Sequence, residues 1–299
     1  MNRGIKESFN DRIFTAVNAL ILIVLGLLVL YPIYFIIIAS ISDPTYVNMG
    51  KTMFWPKGIN FLGYKKLLEY PEILTGYKNT VIYTVVGTLI NMIVVVFTAF
   101  SLSRRELPGR KFLNIYFVLT MYVSGGVIPR YLVVNGLHLT NTMWSLIIPG
   151  ALNVYNMIVC RSFFENSIPH ELYEATKIDG GGWFTFFFKI VLPLSKPILA
   201  VMVLYHALVH WNRYLEALYY IRDSSKYPLQ MILKSLTAEL TVDSIQGGGA
   251  DAAVIAEKLK MRQSVRYSLI MVASVPVFLI YPFVQKYFVK GVMIGSVKG

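Results

Sequence analysis

Residues 17–41 form an apolar run without a single charged side chain, and about 20 residues of helix, at roughly 1.5 Å each, cross the hydrocarbon core of a bilayer. Residues 79–102 and 142–160 are equally free of Asp, Glu, Lys and Arg. Three further apolar stretches, 112–134, 191–217 and 265–285, carry isolated charges and bring the expected transmembrane helices to six. The composition of the 299 residues agrees, with 56% hydrophobic residues, 15% charged residues and a mean hydropathy of +0.57. These values lie outside the soluble range, so lipid is the solvent for much of the chain. The expected fold class is all-α, a polytopic membrane protein.

The N-terminus imitates a signal peptide, with Arg3, Lys6 and Arg12 ahead of the first run. A signal core spans only about 7 to 15 residues, so 17–41 reads as a retained helix. The formal charge of +12 would suggest a nucleic-acid partner in a soluble protein. Here the basic residues sit in connections beside the apolar runs and form no stripe, which excludes that class. Arg3, Lys6 and Arg12 precede helix 1, Arg104, Arg105, Arg110 and Lys111 separate helices 2 and 3, and Lys286 and Lys290 follow helix 6. Residues 135–141 between helices 3 and 4 have none. The positive-inside rule then places both termini in the cytoplasm. The expected layout is a cytoplasmic segment 1–16, a six-helix domain 17–290 and a cytoplasmic tail 291–299, in a prokaryotic plasma membrane. The lone cysteine, Cys160, permits no internal disulfide and reads as a packed small residue.

Two outer connections, 42–78 and 221–266, exceed ordinary loop lengths and are candidates for contact with an outside partner. The first, with Tyr64, Leu67, Leu68 and Ile73, reads as a short interfacial helix; the second has a flexible tip at Gly247, Gly248 and Gly249. Gly125, Gly126 and Pro129 predict a kink or break in helix 3, and Pro32, Pro276 and Pro282 act similarly in helices 1 and 6.

Between helices 4 and 5 lies SIPHELYEATKIDGGGWFTFFFKIVLPLSKP, residues 167–197. Ser167 suits an N-cap, Pro169 the first turn, and Glu171 and Glu174 the positive end of a helix dipole. A short helix to about Ile178, a glycine stop at 180–182 and an amphipathic piece with Trp183, Phe184, Phe187 and Phe188 are expected before helix 5. This loop resembles the cytoplasmic loop of the permease subunits of ATP-binding-cassette importers, whose pattern is Glu-Ala-Ala, three residues, Gly, nine residues, Ile, one residue, Leu-Pro. Glu174, Ala175, Thr176, Gly180, Ile190, Leu192 and Pro193 keep every spacing, with Thr176 replacing the second Ala. The resemblance implies a type I importer permease fold and a loop, 167–193, that docks on a nucleotide-binding subunit. Small Ala175 and Gly180 would let the helix sit in a partner's groove, Glu174 would pair with a basic group and Asp179 would anchor the turn.

More of the chain is similar to the carbohydrate-uptake branch. The carrying motifs are Ser124 to Leu132 (SGGVIPRYL), Trp211 to Leu215 (WNRYL), Tyr227 to Gln230 (YPLQ) and the ending from Tyr287. Oligosaccharides or polysaccharide fragments are the implied cargo. Sugars meet aromatic faces and groups that both donate and accept hydrogen bonds. Asn153, Tyr155, Asn156, Tyr205, His206, Trp211 and Asn212 on helices 4 and 5 are therefore pathway candidates, while helix-to-helix hydrogen bonding accounts for each equally well. His206 and His210 stand one turn apart but lack the following Glu and a third ligand of a zinc site.

The chain carries no Gly-x-x-x-x-Gly-Lys-Ser/Thr loop, so ATP and Mg²⁺ belong to another subunit and no catalytic residue or cofactor is expected here. The implied partners are a second homologous permease, two ATPases and an extracytoplasmic sugar-binding protein. Alternatives are a permease for a non-sugar solute, an ion-coupled carrier, for which acids are missing from 17–41, 79–102 and 142–160, and a receptor or scaffold that uses the loop without transport.

Overall fold

The computed structural model describes residues 8–245 and 252–296. In chain order its α-helices are α1 (Phe9–Ser40), α2 (Pro44–Asn48), α3 (Leu62–Leu68), α4 (Pro71–Ser103), α5 (Arg110–Tyr122), α6 (Val127–Gly136), α7 (Trp144–Ile147) and α8 (Val154–Ser167). They continue as α9 (Glu171–Ile178), α10 (Trp183–Phe186), α11 (Leu192–Leu194), α12 (Lys196–Trp211), α13 (Leu215–Tyr220), α14 (Leu229–Ile245) and α15 (Ala252–Ser296). Among the described residues all regular structure is helical, as the sequence predicts. Arg3, Lys6, the glycines at 247–249 and the tail residues 297–299 lie outside the described residues. The chain divides into two compact units, residues 1–70 with 237–274, and residues 71–236 with 275–299.

In the first unit α1 starts well ahead of the apolar run at 17, because the Ser8 N–H donates to Asp11 Oδ2 at 3.0 Å and closes the helix N-terminus. Every residue of α1 from Phe9 through Tyr34 is exposed, and burial begins only at Ile38, Ala39 and Ser40. The expected interfacial helix is α3. Its Tyr64 hydroxyl donates to Ser40 Oγ at 2.8 Å, and Leu67 is buried while Leu68 is exposed. Gly63 lets α3 lie against α15, since a Cβ there would stand 2.5 Å from the Ser264 carbonyl oxygen.

The second unit is organised around α4, whose principal neighbours are α8 and α12. This helix begins at Pro71 rather than 79, so Ile73 belongs to it and not to the interfacial helix. The polar start 71–78 is held by tertiary contact: a Cβ on Gly76 would meet Ile232 Cδ1 at 2.5 Å and Leu229 Cα at 3.1 Å. Thr80, Gly87, Asn91, Val95, Ala99 and Leu102 form the buried face, at the three- and four-residue spacing of one helix side. Gly87 is the closest approach: its Cβ would fall 2.4 Å from His210 Cε1.

Among the described residues only α1 and α4 are single helices long and apolar enough to cross a membrane, and three bent pairs pass the same test together. The expected helix 3 breaks between α5 and α6 with a 115° bend, at residues 123–126, where Gly126 takes a φ of +80°. Helix 4 is bent by 49°: the Asn153 side chain accepts from the Asn156 N–H at 3.0 Å and starts α8 afresh after Pro149 and Gly150. Helix 5 bends by 81° at Ser195, and it stops at Trp211, so that its expected end, 215–217, falls in the separate α13. Pro197 in the first turn of α12 fits this new start. The expected sixth run, 265–285, lies inside α15, and the outer connection 221–266 contains α14 and the start of α15 instead of a long loop.

Gly87→Ala forces a methyl into the His210 ring and is expected to destabilise the unit by about 1–3 kcal/mol. A lower melting temperature of the detergent-purified protein, partly recovered in Gly87→Ala/His210→Ala, checks this.

Candidate functional site

The loop between α8 and α12 departs from the sequence expectation at its start. Ser167 is the last residue of α8 and caps nothing, because Ile168, preceding Pro169, is extended at φ −120° and ψ 102°. His170 occupies the N-cap of α9 without a capping side chain, and Glu171 and Glu174 lie in the first turn. The end of α9 is a Schellman turn. The Gly181 N–H donates to the Thr176 carbonyl at 2.8 Å and the Gly180 N–H to the Lys177 carbonyl at 3.0 Å, with Gly180 at φ +77° and Asp179 at the C-cap.

Thr176 is the one departure from the family pattern, and it is buried. Its hydroxyl donates to the Leu172 carbonyl at 2.7 Å, and its methyl would touch any Cβ on Gly181 at 2.7 Å. The side chain is accommodated because position 181 has none.

Aromatic rings fasten α9 to the unit's core. Tyr173 stacks on Trp183 with centroids 3.7 Å apart and planes 10° from parallel, and Phe186 meets Tyr173 edge-on at 5.4 Å. Phe187 packs on Phe100 at 4.7 Å and on Phe97 at 4.8 Å, joining the loop to the lower end of α4. Aromatic pairs of this kind contribute about 0.5–1.5 kcal/mol each beyond their burial. Residues Phe187–Val191 make one wider π-type turn before α11. Phe164, Cys160, Phe186 and Val191 are fully buried in the same cluster, against which Ile190 and Leu192 pack.

The motif therefore divides by face. Thr176, Ile190 and Leu192 point into the core, whereas Glu174, Ala175, Asp179, Gly180 and Pro193 are exposed. The exposed face also carries Ile178, 86% exposed, four residues after Glu174 and three after Ala175. Sequence reading missed Ile178, although its helical spacing from Glu174 was the available signal.

Beside the loop, Arg110 binds Glu165 and donates to the Leu102 carbonyl at 2.8 Å, and Arg161 lies 3.5 Å from the same carboxylate. This ties the α4–α5 connection to α8. Arg104 is buried with its guanidinium over the Phe100 and Phe186 rings, 5.1 and 5.6 Å from their centroids. Desolvation pulls its pKa below the ordinary guanidinium value.

The pathway candidates do not converge. Asn156 and His206 are buried and meet through Asn156 Nδ2 and His206 Nε2, 3.4 Å apart. Asn91 on α4 completes this knot. Its amide nitrogen donates to the Gly150 carbonyl at 2.9 Å and faces His206 Nδ1 at 3.2 Å, while its oxygen lies 3.0 Å from His210 Nε2. Asn153 is spent on capping, Trp211 is buried against Tyr77, and the exposed Asn212 side chain donates to the Leu208 carbonyl. Tyr155 and Tyr205 remain exposed. Asn91 is the member that sequence reading overlooked, since a single amide in an uncharged run carries no spacing signal.

The family model described as "Binding-protein-dependent transport system inner membrane component" matches residues 73–294. Protein LplC of Bacillus subtilis (strain 168) is 37% identical over 288 residues, 96% of each chain. The polygalacturonan/rhamnogalacturonan transport system permease protein YtcP of the same organism is 37% identical over 289 residues, covering 97% of this chain and 99% of the relative. Among solved structures, one described as a bacterial ABC transporter involved in the import of the acidic polysaccharide alginate aligns with a TM-score of 0.79 and 33% identity, over 95% of this chain and 99% of that one. The chain belongs to the family of inner-membrane components of binding-protein-dependent transport systems.

Proposed function

We propose that this chain is one of two membrane subunits of an ATP-driven importer of oligosaccharides or polysaccharide fragments, and that residues 167–193 transmit the stroke of a separate ATPase to the membrane helices. The observation that carries the reading is the two-faced loop. Tyr173, Trp183 and Phe187 fasten it to the core formed with α4 and α8, while Glu174, Ala175, Ile178 and Gly180 are free to meet another protein. A load applied to that free face passes into α4 and α12 without an intervening flexible link. ATP and Mg²⁺ sit on the partner ATPases; their closure would rock these helices between inward- and outward-facing arrangements. The bent pairs each counted once, with α1 and α4, make five candidate spans; in this reading the apolar run 265–285 of α15 is the sixth and both termini are cytoplasmic. An extracytoplasmic binding protein delivers the sugar, a role supported by the family description, and the sugar class is supported by the relatives' polygalacturonan, rhamnogalacturonan and alginate titles.

Gly180→Val places a β-branched residue at φ +77°, where an L side chain costs roughly 1–2 kcal/mol, and crowds the free face. Sugar-stimulated ATP hydrolysis by the importer in liposomes should fall at least tenfold while the variant still inserts; full coupling would sink the lever reading. Along the route, Tyr205→Ala should lower uptake with normal assembly. Trp211→Ala, which empties a buried site, should lower assembly as well, by about 3–5 kcal/mol of stability. Uptake per assembled complex separates the two.

A further inference from the structure

The surroundings of α1 change at one point along its length. Residues 13–34 are all exposed and none is charged. At roughly 1.5 Å per residue they span about 33 Å, close to the hydrocarbon thickness of about 30 Å. Beyond them protein covers the helix: Phe35 meets Tyr267 of α15 edge-on at 6.1 Å, Ile38 and Ala39 are buried, and Ser40 Oγ accepts from the Tyr64 hydroxyl. The outer edge of the lipid-facing surface therefore falls at Tyr31 and Tyr34, short of residue 41. The connection after α2 turns back to that edge. Its two ends are pinned near the end of α1, where the Lys51 N–H donates to the Tyr46 carbonyl at 2.9 Å and the Lys57 carbonyl accepts from the Asp43 N–H at 3.0 Å. Between them Met53, Phe54 and Trp55 are 56, 63 and 75% exposed. The Tyr31 hydroxyl donates to the Met53 carbonyl at 3.3 Å, the Tyr34 hydroxyl donates to the Phe54 carbonyl, and the Tyr31 and Phe54 rings lie 6.0 Å apart. Tyr34 stands about 9 Å back from Ser40 along the helix axis, so the tip of the connection hangs back toward the exposed stretch of α1.

We propose that Met53, Phe54 and Trp55 form a hook seated in the outer interface of the bilayer, where headgroups meet acyl chains, with Lys51 and Lys57 on its water side. A soluble protein arriving from outside would meet the outward parts of this connection, whereas the tip is folded back and continues the lipid-facing surface of α1. Backbone chemistry sets the depth. Irregular backbone is not stable inside hydrocarbon, and two carbonyls of the tip are met by tyrosine hydroxyls, so the hook reaches the hydrocarbon edge and goes no further. Trp and Tyr suit that layer because each joins an apolar ring to a polar group, and the exposed lysines on either side carry their ammonium groups up to the phosphates on apolar stems. The hook thus assigns the tip of the first outer connection to lipid and holds the depth of α1 while other helices move. The inference rests on the reading of α1 as a span with its N-terminus in the cytoplasm.

The test uses the assembled importer in phosphatidylcholine nanodiscs, with a fluorophore attached to Trp55→Cys and, in a second protein, to Phe54→Cys. Both positions are exposed, and the native Cys160 is buried and takes no label. Lipid carrying a spin label near its headgroup should quench both fluorophores several-fold more than lipid labelled at the chain end, and aqueous iodide should quench them least. A fluorophore on Leu22→Cys, in the middle of the exposed stretch, should reverse the order of the two lipids. Quenching of positions 54 and 55 chiefly by iodide overturns the proposal, as does protection from iodide and from both lipids, which would put a partner subunit over the tip. An iodide-quenched Leu22→Cys would fault the reading of α1 as a span, while a lipid-quenched Leu22→Cys beside an iodide-quenched tip faults only the hook.

Discussion

Apolar contact alone holds membrane helices together weakly, because lipid tails offer the same contact; close backbone approach and hydrogen bonds across the interface must do it. Here both are concentrated on α4. Gly87 admits the His210 ring from α12, and four residues on, Asn91 ties α12 to the turn before α8 through Gly150, His206 and His210. Two turns further, Val95 and Ala99 are wholly buried, and Phe97 and Phe100 receive Phe187 from the loop. One helix thus carries the polar knot and the aromatic junction on a single rigid axis. The positions of α8, α12 and α9 all depend on how closely that axis can be approached.

The polar residues of α4, α8 and α12 take on a different meaning in this light. Asn91, Asn156, His206 and His210 pair with one another in the bundle interior, where an unpaired amide or imidazole would cost about 1–3 kcal/mol. They fix which helix faces which neighbour, and they leave the aromatic side chains of Tyr155 and Tyr205 outside the knot. The ion-pair cluster of Arg110, Arg161 and Glu165 does for the α4–α5 connection what the knot does for the spans.

Hydropathy located the apolar runs because lipid imposes a simple rule on composition, and the loop motif was legible because it fixes turn chemistry: glycine is the least strained residue at φ +77°, and it stands at 180. Helix ends were less legible. Residues 71–78 look like a polar loop, yet Gly76 seats them against Leu229 and Ile232, a contact that no local window contains. Ser167 has the chemistry of a cap, but the start of the following helix was set by Pro169 and the extended residue before it. Gly125 and Gly126 announce a break without its angle, since the 115° turn depends on what each half packs against. Asn91, Ile178 and Arg104 stayed hidden for a common reason: their importance comes from partners distant in sequence or outside the chain.

The π-type turn at Phe187–Val191 overlaps the end of the nine-residue spacing between Gly180 and Ile190. Its extra residue sets the rotational phase of Trp183 and Phe186 relative to the core-facing Ile190 and Leu192. A deletion between Trp183 and Phe186, ahead of that turn, has no such slack and would swing everything before it by about 100°. Trp183 would then leave Tyr173, and α9 would lose its footing. Side-chain identity in this loop is negotiable, as Thr176 demonstrates by sitting where an alanine would; length is not. Single-residue insertions and deletions between Trp183 and Phe186 are thus a harsher class of change for this chain than exchanging a side chain there.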